Sequence, residues 1–136
     1  MRVVLDTNVL MSALISPSGA ADRIYKGWRA GNFDLVSCEQ QLDEVRRVTR
    51  RPALRNLIRP AEAGRLVKLV RHLAIMVDPL PSVGASPDPW DNFLLATALK
   101  SRADYLVTGD KKDLLALVHF GRTRIVTVRQ FLQETA

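Results

Sequence analysis

Cysteine and histidine are scarce in this chain: among 136 residues there is one Cys, Cys38, and two His, His72 and His119. A lone cysteine excludes an internal disulfide, and with no companion at zinc-ligand spacing it reads as a small buried thiol in a reduced compartment. Acidic residues are also in the minority, 14 against 20 Lys and Arg, for a net charge of +6. That balance, with a pI near 10.1, argues against a polycationic ligand and favours a polyanionic one such as nucleic acid. No stretch approaches the roughly 18 apolar residues of a membrane span, and Asp6 and Asn8 interrupt the first apolar run where a signal peptide would be uninterrupted. The expectation is a cytoplasmic protein with no membrane partner. A chain of this length with 47% hydrophobic residues suits one globular domain, residues 1–136, and leaves no room for a second.

What is present is an alternation. Short apolar, β-branched runs at Val3–Leu5, Leu35–Val36, Ala74–Val77, Tyr105–Val107 and Ile125–Val128 read as strands. Segments of helical period lie around them, at 9–15, 20–30, 40–50, 61–73, 92–102 and 129–134. The pattern predicts an α/β fold with a mostly parallel sheet, helices on both faces and right-handed crossovers. The most irregular stretch, "PLPSVGASPDPWD" at 79–91, carries four prolines and a glycine. It reads as a long surface loop, with Asp88 as the cap of a helix that has Pro89 at its first position.

In an open parallel sheet, ligands collect beyond the carboxyl ends of the strands, so the acids in those turns matter most. Asp6 ends the first strand, and Asp110 follows the strand that ends near Val107. Asp91 starts the helix "DNFLLATAL" in line with Leu94, Leu95 and Ala98, so it points along the buried face. Glu44 borders the stripe of Leu42, Val45 and Val48, whereas adjacent Asp43 faces solvent. Each acid alone has a structural explanation: Asp6 and Asp110 as N-caps, Asp91 at a helix dipole, Glu44 paired with Arg47 or Arg51. Taken together those explanations weaken, because two carboxylates ~4 Å apart repel by about 4 kcal/mol at an effective dielectric near 20. Such a cluster must hold protons or a cation, and an oxygen-only set suits Mg²⁺ or Mn²⁺ better than zinc. Asn8 and Thr108 flank the first and last acids as groups that can orient a carboxylate.

The ordered segments "VVLDTNVLMSAL", "LDEVRRVTRRPALR" and "DPWDNFLLATALKSRADYLVTGDKKDLL" resemble the PIN-domain ribonucleases, and most of all the bacterial VapC-like branch that supplies toxins of toxin-antitoxin systems. The resemblance implies a three-layer α/β/α fold and divalent-metal-dependent hydrolysis of RNA phosphodiester bonds. It places the family's acidic quartet on Asp6, Glu44, Asp91 and Asp110, its polar partner on Asn8 and its threonine on Thr108. Trp90 stands where many relatives carry a further acid. The resemblance also implies a small antitoxin partner and a homodimer.

For the substrate, "RRVTRRPALRNLIRP" supplies an arginine cluster, from which Arg47, Arg50 and Arg51 are the expected phosphate contacts. A solvated face or an antitoxin contact would use the same charges. Trp90, beside Asp91, can stack on a base or pack on the loop prolines. Two rival readings remain: a Mg²⁺-dependent receiver-like or phosphatase-like domain, which generally wants a nucleophilic Asp with a nearby lysine, and a noncatalytic binding module on the same fold. The phosphatase-type second Asp is replaced by Asn8, and a noncatalytic module would have lost an acid where all four are present.

Overall fold

A computed structural model describes residues 1–109 and 111–136. In chain order these form β1 (Arg2–Leu5), α1 (Thr7–Ile15), α2 (Ala20–Arg29), β2 (Asp34–Ser37), α3 (Glu39–Thr49), α4 (Pro52–Arg55) and α5 (Pro60–Leu73). There follow β3 (Ile75–Met76), α6 (Pro89–Ser101), β4 (Tyr105–Thr108), α7 (Lys112–Leu117), β5 (His119–Phe120), β6 (Thr123–Thr127) and α8 (Val128–Glu134). The strands make one sheet in the order β3-β2-β1-β4-β6-β5. Every pairing is parallel except the β5–β6 hairpin at one edge.

Strand residues point alternately to the two faces, and both faces are apolar because helices cover both. Val3, Leu5, Leu35, Val107 and Val126 pack against α1, α2, α3, α5 and α8. Val4, Val36, Leu106 and Ile125 pack against α6 and α7. The result is the three-layer α/β/α architecture expected for a PIN-like fold. The chain runs outward from β1 through β2 to β3, then returns to β4 on the other side of β1. That reversal opens a crevice beyond the carboxyl ends of β1 and β4, the usual ligand position in such sheets.

Local chemistry sets the helix starts that border the crevice. Asp88 accepts the Trp90 N–H at 2.9 Å with Pro89 at the first helical position, two independent reasons for α6 to begin there. Thr127 and Gln130 form a reciprocal capping box, which is why β6 ends at Thr127 and Val128 opens a helix instead of closing the strand. Three elements were not expected: α4, α7 and β5. The last pairs back on β6 through a tight turn at Gly121, which takes positive φ, while Val118, also at positive φ, ends α7 just before β5.

Candidate active site

Asp6 sits in the crevice, fully buried. Its backbone N–H donates to the Val107 carbonyl at 2.9 Å, continuing the β1–β4 ladder by one residue. Its carboxylate is fixed on both oxygens: Oδ1 accepts the Asn8 N–H at 3.2 Å, and Oδ2 accepts the Thr108 hydroxyl at 2.9 Å. Asp91, in the first turn of α6, is 1% exposed. Its Oδ2 accepts the buried Ser86 hydroxyl at 3.0 Å. Ser86 is itself held by Asn92, which accepts its N–H and donates to its carbonyl, both at 2.9 Å. The proline-rich loop is thereby clamped to the helix it precedes.

Between the two acids stands a lysine. Lys111 Nζ is 3.5 Å from Asp6 Oδ2 and 3.4 Å from Asp91 Oδ1, and Asp91 Oδ1 takes no hydrogen bond among the described residues. Burial pushes the Asp91 carboxyl above its ordinary range, against the opposing effects of Ser86 and Lys111. Burial also draws the Lys111 ammonium down, but the charges of Asp6, Asp91 and Glu44 outweigh it and leave the group above its usual value.

Glu44 reaches the same place from α3. The helix is pinned to the end of β1 by a buried relay: the Ser37 hydroxyl donates to Gln41 Oε1, and Gln41 Nε2 donates to the Leu5 carbonyl, each at 2.6 Å. One turn on, Glu44 lies 9% exposed with Arg47 Nη2 3.6 Å away. Neighbouring Asp43 has 74% of its side chain in solvent, as the helical phase requires. A polar pocket of about 160 Å³ collects Glu44, Asn8, Arg47, Arg51, Trp90 and Lys111 on its walls. The Arg47 guanidinium lies 4.1 Å from the centre of the Trp90 ring, so this tryptophan stacks against an arginine.

The sequence-expected residues thus divide. Asp6, Asn8, Glu44, Asp91 and Thr108 converge, with Arg47, Arg51 and Trp90 around the pocket they border. Arg50 does not join them. It lines a separate groove of about 570 Å³ between α3 and α5, with Arg46 and Arg55. Asp110 lies outside the described residues. Cys38 is a buried thiol that receives the Thr97 hydroxyl at 3.4 Å, and burial raises its pKa.

Among the described residues no three Asp, Glu, His or Cys side chains stand close enough together to hold a metal ion. The two that share Lys111 nevertheless fit a hard divalent cation in three respects. Their donors are all oxygen, both are buried, and they already bracket one positive charge. Sequence reading missed Lys111, Ser86 and Gln41. The signal for Lys111 was available: a cluster of acids needs a cation, and "GDKK" places lysines directly after the strand that ends at Thr108.

Residues 2–112 match the PIN domain family, a span that takes in all four candidate acids. The chain is also 26% identical, over 145 aligned positions, to an uncharacterized protein of Methanocaldococcus jannaschii. That alignment covers 98% of this chain and 91% of the other.

Proposed function

The chain belongs to the PIN-domain family, a nuclease-type fold whose members act on RNA, and on that premise we propose that it is a divalent-metal-dependent endoribonuclease hydrolysing RNA phosphodiester bonds. The observation that carries the reading is the pair of buried carboxylates, Asp6 and Asp91, bracketing one cation at the carboxyl edge of the sheet. Asp6, Glu44 and Asp91, with Asp110, are the residues that would hold Mg²⁺ or Mn²⁺. A hard divalent ion there supplies a water of lowered pKa and neutralises charge that builds on the scissile phosphate.

The protein's own residues do the remaining work. Thr108 and Asn8 fix the Asp6 carboxylate from both sides, so that its oxygens are oriented before anything binds. Ser86 does the same for Asp91. Arg47 and Arg51, on the pocket wall, offer forked donors to flanking phosphates, and Trp90 offers an exposed ring face to a base. The carboxylates act as ligands and not as a named general base. The finer assignment, a toxin working with a small antitoxin and able to form a homodimer, rests on the resemblance of the ordered motifs, and a cytoplasmic protein of one domain on length and composition. No helix among the described residues is long and apolar enough to cross a membrane.

One rival gains from the structure. A receiver-like or phosphatase-like domain pairs a nucleophilic Asp with a lysine, and Lys111 is 3.5 Å from Asp6. Two assays separate the readings. Purified protein incubated with a mixed RNA pool should cleave it in Mg²⁺ or Mn²⁺ and not in EDTA. A phosphoryl mass gain on Asp6 from acetyl phosphate, with no RNA cleavage, would favour the rival.

A further inference from the structure

The charge between Asp6 and Asp91 belongs to the chain itself, and it is attached differently from everything else around the acids. Asp6 is held by a backbone N–H and by Thr108 at the end of β4, and Asp91 by Ser86, which is clamped in its turn to Asn92. Thr108 and Ser86 are buried, the group on Asp6 Oδ1 is a backbone N–H, and Asn92 is a half-buried residue of α6. Lys111 reaches the same point on a flexible four-carbon stem whose side chain is 25% exposed, and it also forms part of the pocket wall. Two buried carboxylates left without a positive charge would repel each other at low local dielectric.

We propose that Lys111 is the resident counter-ion of the acid pair, and that its ammonium and the divalent cation hold that place alternately. Entry of the metal then requires Lys111 to leave Asp6 and Asp91 and turn into the pocket bordered by Glu44, Arg47 and Trp90, where a substrate phosphate would meet it. The inference rests on the metal-site reading above. It adds that the charge of the acid pair is partly offset from within, and that metal affinity is set partly by a competing side chain.

The unmodified protein provides one test. Labelling with an amine-reactive ester, read by mass spectrometry, should show Lys111 becoming more reactive on addition of Mg²⁺, while Lys26, Lys68, Lys100 and Lys112 serve as internal references. The second test is Mn²⁺ titration of Lys111→Met by calorimetry, where loss of the competing charge should tighten binding on the order of tenfold or more. If Mn²⁺ binds wild type but Lys111 labelling stays flat or falls, or Lys111→Met binds Mn²⁺ no more tightly, the exchange is overturned and the metal site stands. If neither protein binds Mn²⁺, both fall.

Discussion

Replacing Thr108 by Val keeps the shape of a fully buried strand residue and removes one hydroxyl, the donor that lies 2.9 Å from Asp6 Oδ2. A hydrogen bond to a charged acceptor contributes about 1.5–3 kcal/mol, and leaving a buried carboxylate short of a donor places the cost toward the upper half, ~2–3 kcal/mol. For a chain of this length each kcal/mol lowers the melting temperature by about 3–5 °C. Thr108→Val should therefore melt roughly 6–15 °C below wild type. In an Asp6→Asn background the acceptor is neutral, and the same substitution should cost only about 1 kcal/mol. The assay is equilibrium urea unfolding of the four proteins of the double-mutant cycle, in EDTA so that no metal contributes. A coupling of ~1 kcal/mol or more between positions 6 and 108 is expected. If Thr108→Val lies within about 0.5 kcal/mol of wild type in both backgrounds, the hydroxyl does not hold an ionised Asp6, and the orientation argument is wrong.

Three further outcomes follow from the geometry. Glu44→Gln should cut the RNA cleavage rate by about a hundredfold or more, as loss of charge at a metal site does, while Asp43→Asn, three-quarters solvated, stays near wild type; rates at saturating Mg²⁺ decide it. Arg47→Ala with Arg51→Ala should weaken RNA binding and reduce the log-log salt slope by about one unit for each phosphate no longer neutralised, whereas Arg50→Ala alone, in its separate groove, should leave RNA titrations at several salt concentrations unchanged. Asp104 accepts the Arg2 N–H and the Arg122 guanidinium, both at 2.8 Å, and chiefly through the first its carboxyl is held below its ordinary value of 3.8. A depressed pKa stabilises the fold above 3.8 and stops doing so as pH falls through the folded value. Asp104→Asn should thus cost about 1 kcal/mol at neutral pH, and the gap to wild type should close in urea melts taken progressively below pH 4.

The runs of β1, β2, β4 and β6 were legible because both faces of those strands are largely buried and so read as continuous apolar stretches; β3, a half-buried edge strand, was legible by its apolar run alone. The phase of α3 was legible too: one turn of period 3.6 suffices to separate Asp43 from Glu44. Short elements were not. The four-residue helix α4 and the two-residue strand β5 are too brief to show a period, and β5 exists only because a turn returns it to β6. At position 128 the apolar pattern favoured strand, and the Thr127 cap overrode it. Within the site, acids were legible by position at strand ends. Of their partners, Thr108 was legible beside the last acid and Lys111 could have been inferred from the need for a cation, whereas Ser86 meets Asp91 through a loop that leaves no periodic trace. The split between Arg50 and Arg47 with Arg51 was not readable from periodicity, because α3 ends at Thr49 and Arg51 sits in extended backbone before α4, so the run of arginines reads as one block of charge.

The most direct test of the central claim is single-turnover cleavage of one single-stranded RNA by wild type, Asp6→Asn and Asp91→Asn at saturating Mg²⁺, with circular dichroism and thermal unfolding in EDTA on the same samples. Each substitution removes one of two buried carboxylates that share a single ammonium, so both variants should be folded and at least as stable as wild type without metal. Cleavage should be abolished in both. A folded variant of either kind that cleaves at the wild-type rate would contradict the assignment of these acids to the reaction.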